Sequence, residues 1–257
     1  FRLLSEALKN ERYKEELKIA QRVQQSLLPD SLQHDADYDI ISFTEAADEV
    51  GGDYYDTFRI NDHRIALIIS DVSGKGTSAA FHMSQMKGIF QSLAQMNISP
   101  REFLIRANDA LSRCLDKTSF ITTSFFVIDS KQKRVEFTRA GHCPTLYFNK
   151  AENRSHYFRN KGLGLGIIRN NGYEEYIHAN HFQYNPGDVM LLYTDGITEA
   201  KNKKGEEFGY DRLQQSLERN HGMEVEMILN NIIEELYAFT GSKSIDDDYT
   251  MIILKFK

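Results

Sequence analysis

VMLLYTDG, residues 189–196, and DDDYTMIILKF, residues 246–256, carry the reading of this chain. The first is an apolar run that stops at Asp195 and Gly196, and the second begins on three aspartates and continues as an apolar run of the same kind. Laid antiparallel, they bring Asp195 to the same end of a sheet as Asp246, Asp247 and Asp248. RIALIISDVSG (64–74) repeats the pattern, its run ending on Asp71 followed by Val72 and Ser73. A fourth acidic position, Asp53, lies in EVGGDYYDTF (49–58), where two glycines let the backbone pass close to a neighbour.

Further short apolar or alternating runs surround these: YDIISF (38–43), TTSFFVID (122–129), RVEFTRA (134–140), TLYF (145–148) and EEYIHANHFQY (174–184). Turn signals separate them, among them IND (60–62), SKQK (130–133) and NPGD (185–188). Helical spacing is expected over about 77–96, 100–116, 209–219 and 223–240. Because strands come in runs instead of alternating with helices, the expected class is α+β with mostly antiparallel sheets.

Residues 1–29 differ from this body. Leu4, Ala7, Leu8, Leu17, Ala20, Val23, Gln24 and Leu27 recur at steps of three and four with charges between them and no glycine, up to Pro29. They predict one long amphipathic helix, on the order of 40 Å at 1.5 Å per residue. Its narrow apolar stripe fits either packing on its own domain or a two-stranded coiled coil that links an upstream domain and dimerises the protein. The chain begins at Phe1 instead of Met and reads as a fragment of a longer protein, divided into a linker helix at 1–29 and a globular domain at 30–257.

The composition is that of an ordinary globular protein: 257 residues, 41% hydrophobic and 26% charged, with a net charge of −6. That charge argues against a nucleic-acid partner, which calls for a concentrated basic face, and is compatible with bound divalent cations. No run approaches the roughly 20 apolar residues of a membrane span, and the charged N-terminus is no secretory signal, so a cytoplasmic location is expected. Cys114 and Cys143 are isolated, which excludes a disulfide framework or a zinc ribbon.

One aspartate at a strand end is ordinarily a turn or cap residue. Four such sites at matching ends repel one another unless a cation is present. An oxygen-only set suits Mg²⁺ or Mn²⁺ over zinc. Two such ions about 4 Å apart clamp a phosphate and activate a water for in-line attack, with no nucleophilic side chain needed. Spacing alone leaves both readings open.

Seven strings in order settle the choice by resemblance: EVGGDYYD (49–56), ISDVSGKGTSAAFHM (69–83), TRAGHCPTLYF (138–148), GLGLGI (162–167), NPGDVMLLYTDGITEA (185–200), FGYDRL (208–213) and DDDYTMIILKF (246–256). Together with QQSLLP (24–29) they closely resemble the PPM family of metal-dependent protein phosphatases, specifically its SpoIIE and RsbU type, from about residue 15 to the end. The resemblance implies a four-layer αββα sandwich of two antiparallel sheets flanked by helices, with two Mn²⁺ or Mg²⁺ ions at one edge. The implied activity is hydrolysis of phosphoserine or phosphothreonine on proteins.

Carried over motif by motif, Asp53 holds the metal centre, partly through bound water, and Asp71 bridges both ions with the backbone carbonyl of Val72 as a further ligand. Asp195 and Asp247, the first acid of the DDYT motif, complete the other metal. Asp248 matches a neighbouring polar position and is carried as a further candidate metal residue, with the register of the Asp246–Asp248 triplet open by one residue. The resemblance further implies a phosphorylated STAS-domain anti-sigma factor antagonist as substrate, an upstream sensor domain or regulator, and a homodimer formed through the first helix. Linker changes would then reposition the helices at about 77–116 and with them the metal site. The alternative is a catalytically silent PPM-fold module that binds a partner. Cys143 and Thr145 in AGHCPT and Gly164 in GLGLGI depart from the usual pattern without removing an acidic position.

Other strings carry less. SGKGTS lacks both the glycine and the Lys-Ser/Thr junction of a P-loop, and GLGLGI lacks the dinucleotide-binding spacing and reads as a tight loop near the sheet. His142 is expected to be a hydrogen-bonded structural residue more than a general acid. Lys75 and His82 stand near Asp71 and could approach a substrate phosphate, although a loop lysine is ordinarily just solvated. Met83, Met86, Ile89, Phe90 and Leu93 form a helical stripe assigned to packing.

Overall fold

Nine-residue runs such as RIALIISDV are apolar on both sides of the strand, so a sheet built from them must be covered on both faces. The computed structural model, which describes residues 2–243 and 246–257, shows how this is done. One sheet has the order β1 (Tyr38–Glu45), β10 (Tyr249–Phe256), β9 (Val189–Tyr193), β6 (Thr145–Asn149), β7 (Arg154–Phe158). The other runs β2 (Tyr54–Asn61), β3 (Arg64–Val72), β4 (Ile121–Asp129), β5 (Arg134–Ala140), β8 (Asn180–Gln183). All strand pairings within the two sheets are antiparallel.

The strand period of two then distributes side chains between layers. On β3, Ile65, Leu67 and Ile69 enter the core between the sheets, where they join Leu192 and Met190 of β9 and Ile252 and Leu254 of β10. Ala66 and Ile68 point the other way, into a core closed by α2 (Gly76–Ala94) and α3 (Pro100–Leu111). The sheet of β9 and β10 sends Leu191, Met251 and Ile253 outward against α5 (Gly209–Asn220) and α6 (Val225–Thr240). The result is the four-layer αββα sandwich of the α+β class. Met83, Met86 and Phe90 of α2 are fully buried, with Phe90 edge-on to Tyr54, Phe103 and Phe125, so the stripe does pack. Ser99 starts α3 as its cap by accepting the Glu102 N–H at 3.2 Å, with Pro100 in the first turn.

The structure departs from the sequence reading at several elements. β2 begins within EVGGDYYDTF and RSHYF forms β7, neither expected from the patterning. EEYIHANHFQY is not one strand but a short 3-10 turn (Tyr173–Tyr176) followed by β8, because Tyr173 is anchored by its hydroxyl to the Leu163 carbonyl at 2.7 Å before the chain reaches the sheet edge. The helix expected to 116 ends at Leu111. A five-residue helix, α4 (Asp195–Glu199), follows β9 directly.

The first helix, α1 (Arg2–Gln25), stops one turn before Pro29. Tyr13, Ile19 and Val23 on it are 61%, 52% and 57% exposed, while Leu17 and Ala20 are half-buried, so part of its apolar surface is left outside the domain. Gln24 anchors its C-terminal end: its amide donates to the Gly51 carbonyl at 2.6 Å and accepts the Gly51 N–H at 3.0 Å. Among the described residues no helix is long and apolar enough to cross a membrane.

Candidate metal centre

The pairing of β10 with β9, Met251 against Tyr193, puts the acids at the two chain ends side by side. Asp71 comes to the same edge from the facing sheet, at the penultimate position of β3, and Asp53 immediately precedes β2. The connection carrying Asp53 fits only because it lacks a side chain: a Cβ on Gly52 would lie 2.9 Å from the Val72 carbonyl oxygen. Gly196 is equally constrained, since a Cβ there would be 2.1 Å from the Asp248 carbonyl oxygen.

The structure places the expected acids within electrostatic reach of one another at this edge. Asp71 feels Asp195, Asp247, Asp248 and Glu199, Asp53 feels Asp71 and Asp248, and Asp195 feels Asp247. The Val72 carbonyl faces this edge beside Gly52. Within the triplet the roles divide. Asp248 turns its carboxylate to the backbone, accepting the Ala47 N–H at 2.9 Å and the Gly52 N–H at 2.6 Å. Asp247 stays half exposed beside the cluster, where Lys75 pairs with it.

Two further residues join the site that the sequence reading did not assign to it. The Thr194 hydroxyl donates to Asp53 Oδ2 at 2.8 Å and accepts the Thr250 N–H at 3.0 Å, fixing the buried carboxylate. Glu199, on α4, adds a further negative charge. No pattern marked either of them, because a threonine before an aspartate and a glutamate on a five-residue helix are unremarkable without the sheet pairing. Asp56, the second acid of GGDYYD, leaves the site altogether: it is buried under α2 and accepts from Tyr54, Lys87 and Gln91.

Burial, reinforced by Asp195, Asp247, Asp248 and Glu199, pushes Asp71 up to about 8. Burial and Asp71 hold Asp53 well above the usual carboxylate range, and burial and Asp247 raise Asp195. Such an edge is poor at carrying its own negative charge and suited to a cation. Among the described residues no three His, Cys, Asp or Glu side chains are gathered to hold one ion as they stand. The oxygen donors present, carboxylates with a backbone carbonyl, match hard cations that retain several waters.

A pH dependence follows. A carboxyl group held at about 8 in the fold, against about 4 in the unfolded chain, contributes stability below pH 4 that is lost progressively as the pH rises to 8. A bound cation would take the proton's place. Thermal unfolding in chelator is therefore expected to show a melting temperature that falls between pH 5.5 and 8, with Mn²⁺ restoring it most at pH 8. A metal-free melting temperature that does not fall over that range would contradict the assignment.

His142 fits the structural reading. It is buried, its Nδ1 lies 3.0 Å from the Thr122 hydroxyl, and burial with Arg139 pushes it down to about 3, so it stays neutral. Cys143 beside it is pushed up by burial and by Asp195 and Asp71, so it remains a thiol.

The sequence profile described as Stage II sporulation protein E (SpoIIE) matches residues 61–257. The chain belongs to the SpoIIE family. Its family relatives include phosphoserine phosphatase RsbU of Bacillus subtilis, 30% identical over 95% of this chain and 71% of RsbU. Protein IcfG of Synechocystis is 29% identical over 97% of this chain and 43% of its own length. In fold, the family member resembles the SiaA-PP2C domain of Pseudomonas aeruginosa with a TM-score of 0.82 at 17% identity, over 98% of this chain and 100% of that one. RsbX, solved in complex with magnesium, aligns over 88% of this chain and 99% of its own with a TM-score of 0.66 at 15% identity.

Proposed function

We propose that residues 30–257 form a metal-dependent protein serine/threonine phosphatase domain, that 1–29 are its linker to a regulatory partner, and that the substrate is a phosphorylated STAS-domain anti-sigma factor antagonist in the cytoplasm. The observation that carries the activity is the convergence of Asp53, Asp71, Asp195 and Asp247 from both sheets on one edge, in a chain of the SpoIIE family. The domain is a protein serine/threonine phosphatase. Asp53, Asp71, Asp195 and Asp247, with the Val72 carbonyl, are the residues to hold two Mn²⁺ or Mg²⁺ ions, and Asp248 braces the loop that carries Asp53. When bound, such ions stabilise charge on a phosphoryl oxygen and lower the pKa of coordinated water.

The chain's own contribution is positional. Thr194 orients Asp53, the backbone N–H groups of Ala47 and Gly52 lock Asp248, and a cleft lined by Lys75, Glu199, Lys201, Asp246 and Asp247 opens beside the acids for a phosphorylated side chain. Neutral, buried His142 does not supply the leaving-group proton as an imidazolium. The exposed Ile19 and Val23 of α1 support a homodimer built through that helix.

The test is phosphate release from a phosphoserine-bearing STAS-domain protein and from a generic phosphoester, in Mn²⁺ and in chelator, with sedimentation at micromolar concentration on the same preparation. Turnover in Mn²⁺ that chelator abolishes, from a sedimenting dimer, is the expected result. Metal binding without turnover on either substrate would favour a partner-binding module, and a monomer would remove the dimer from the reading.

A further inference from the structure

Lys75 is in the link between β3 and α2, one residue before the helix begins and four after Asp71. A lysine there has open solvent available, yet its ammonium reaches across to the segment ahead of β10. Its Nζ lies 3.2 Å from Asp247 Oδ1 and donates to the Asp246 carbonyl at 2.5 Å. The side chains of Lys75 and Asp247 are 53% and 51% exposed, so no packing forces them together. The contact spans the two sheets at the edge where the acids gather, since Lys75 extends from the sheet of β3 and Asp247 from that of β10.

We infer that Lys75 is a positioning residue, a built-in counter-ion that holds Asp247 while no divalent cation is bound and competes with that cation for its carboxylate. The inference rests on the metal-centre reading above and deepens it. An ion pair this exposed is weak, typically 0–1 kcal/mol, and screened by salt, so a divalent cation with several carboxylates around it displaces it readily. The competition is reciprocal: whatever weakens the lysine contact strengthens cation binding, and cation binding frees the lysine. Because Lys75 directly precedes α2, its release also frees the start of that helix, which lines the core against β2 and β3. Metal occupancy and the mobility of the first turn of α2 are thereby coupled.

Calorimetric titration of Mn²⁺ into the whole chain at low ionic strength tests this, using wild type, Lys75→Met and Lys75→Arg. The methionine variant keeps the side-chain length and removes the charge. It is expected to bind Mn²⁺ about three- to fivefold more tightly, with the advantage shrinking at high salt, while the arginine variant stays near wild type. Amide exchange gives a readout independent of turnover. In wild type, Mn²⁺ is expected to speed exchange in the first turn of α2, and in Lys75→Met that turn already exchanges faster without metal. Equal or weaker Mn²⁺ binding by Lys75→Met overturns the role of Lys75 alone. No Mn²⁺ binding by wild type beyond that of an Asp71→Asn, Asp195→Asn control overturns the metal centre itself.

Discussion

Asp71→Asn and Asp195→Asn are each expected to lower metal-dependent turnover by two orders of magnitude or more while leaving the fold intact. The reason is an asymmetry between charge and shape. Asparagine keeps the size of the side chain but not the charge, and even the outer partners of metal ligands are worth roughly 10–100-fold when removed. Stability moves the other way. Burial and four neighbouring acids already push Asp71 up to about 8 in the absence of a cation, so at neutral pH the wild-type fold must hold a proton there that a neutral side chain does not need. Metal-free Asp71→Asn should melt at or above the wild-type temperature, and Mn²⁺ should raise its melting temperature less than it raises that of wild type. Turnover within a few-fold of wild type in both variants would remove these residues from the site. Loss of activity with loss of fold would instead make them structural.

The second large effect is expected at Gly196. A Cβ there meets the Asp248 carbonyl oxygen at 2.1 Å and the Tyr249 ring at 3.0 Å, and the first obstacle is backbone that cannot rotate away. Gly196→Ala must therefore push the start of α4 from the segment ahead of β10, separating Asp195 from Asp247 and Asp248. Overpacking of this kind costs about 1–3 kcal/mol, and for a chain of this size each 1 kcal/mol lowers the melting temperature by roughly 2–4 °C. Weakened Mn²⁺ binding should accompany the loss. Gly88→Ala is the contrasting substitution. Gly88 is an exposed position inside α2 with nothing within 4 Å of an added Cβ, so alanine is expected to stabilise by about 0.8–1 kcal/mol through helix propensity. Opposite signs from the same chemical change would show that the cost at Gly196 is the clash with Asp248; a stable Gly196→Ala that binds Mn²⁺ normally would show that the edge can relax around it.

Much of this protein is legible in the chain itself. The runs ending on Asp71 and Asp195 and the run starting after Asp246–Asp248 announce strands covered on both faces and acids at their ends, because a buried strand tolerates a carboxylate only where it emerges. The stripe Met83, Met86 and Phe90 likewise announces α2, since helical spacing is a local property. What local pattern misses lies where side chains are satisfied by distant partners. β2 was hidden because Asp56 interrupts its apolar face, and its burial is made tolerable by Lys87 and Gln91 on the distant α2 together with the Tyr54 hydroxyl. The 3-10 turn at Tyr173 was hidden because its anchor is the Leu163 carbonyl, outside any local window.

The division of labour in the acidic triplet belongs to tertiary structure alone. Three consecutive aspartates are equivalent in sequence, and they become distinct only when Ala47 and Gly52 donate to Asp248 and Lys75 reaches Asp247. The same holds for Thr194 on Asp53 and Gln24 on Gly51. The sequence by itself determined the strongly patterned strands and helices and that acids stand at strand ends, since periodicity and burial act within a few residues. Which acids face one another was decided only when two sheets met at a common edge, because charge interactions depend on distances that the stacking of the sheets creates.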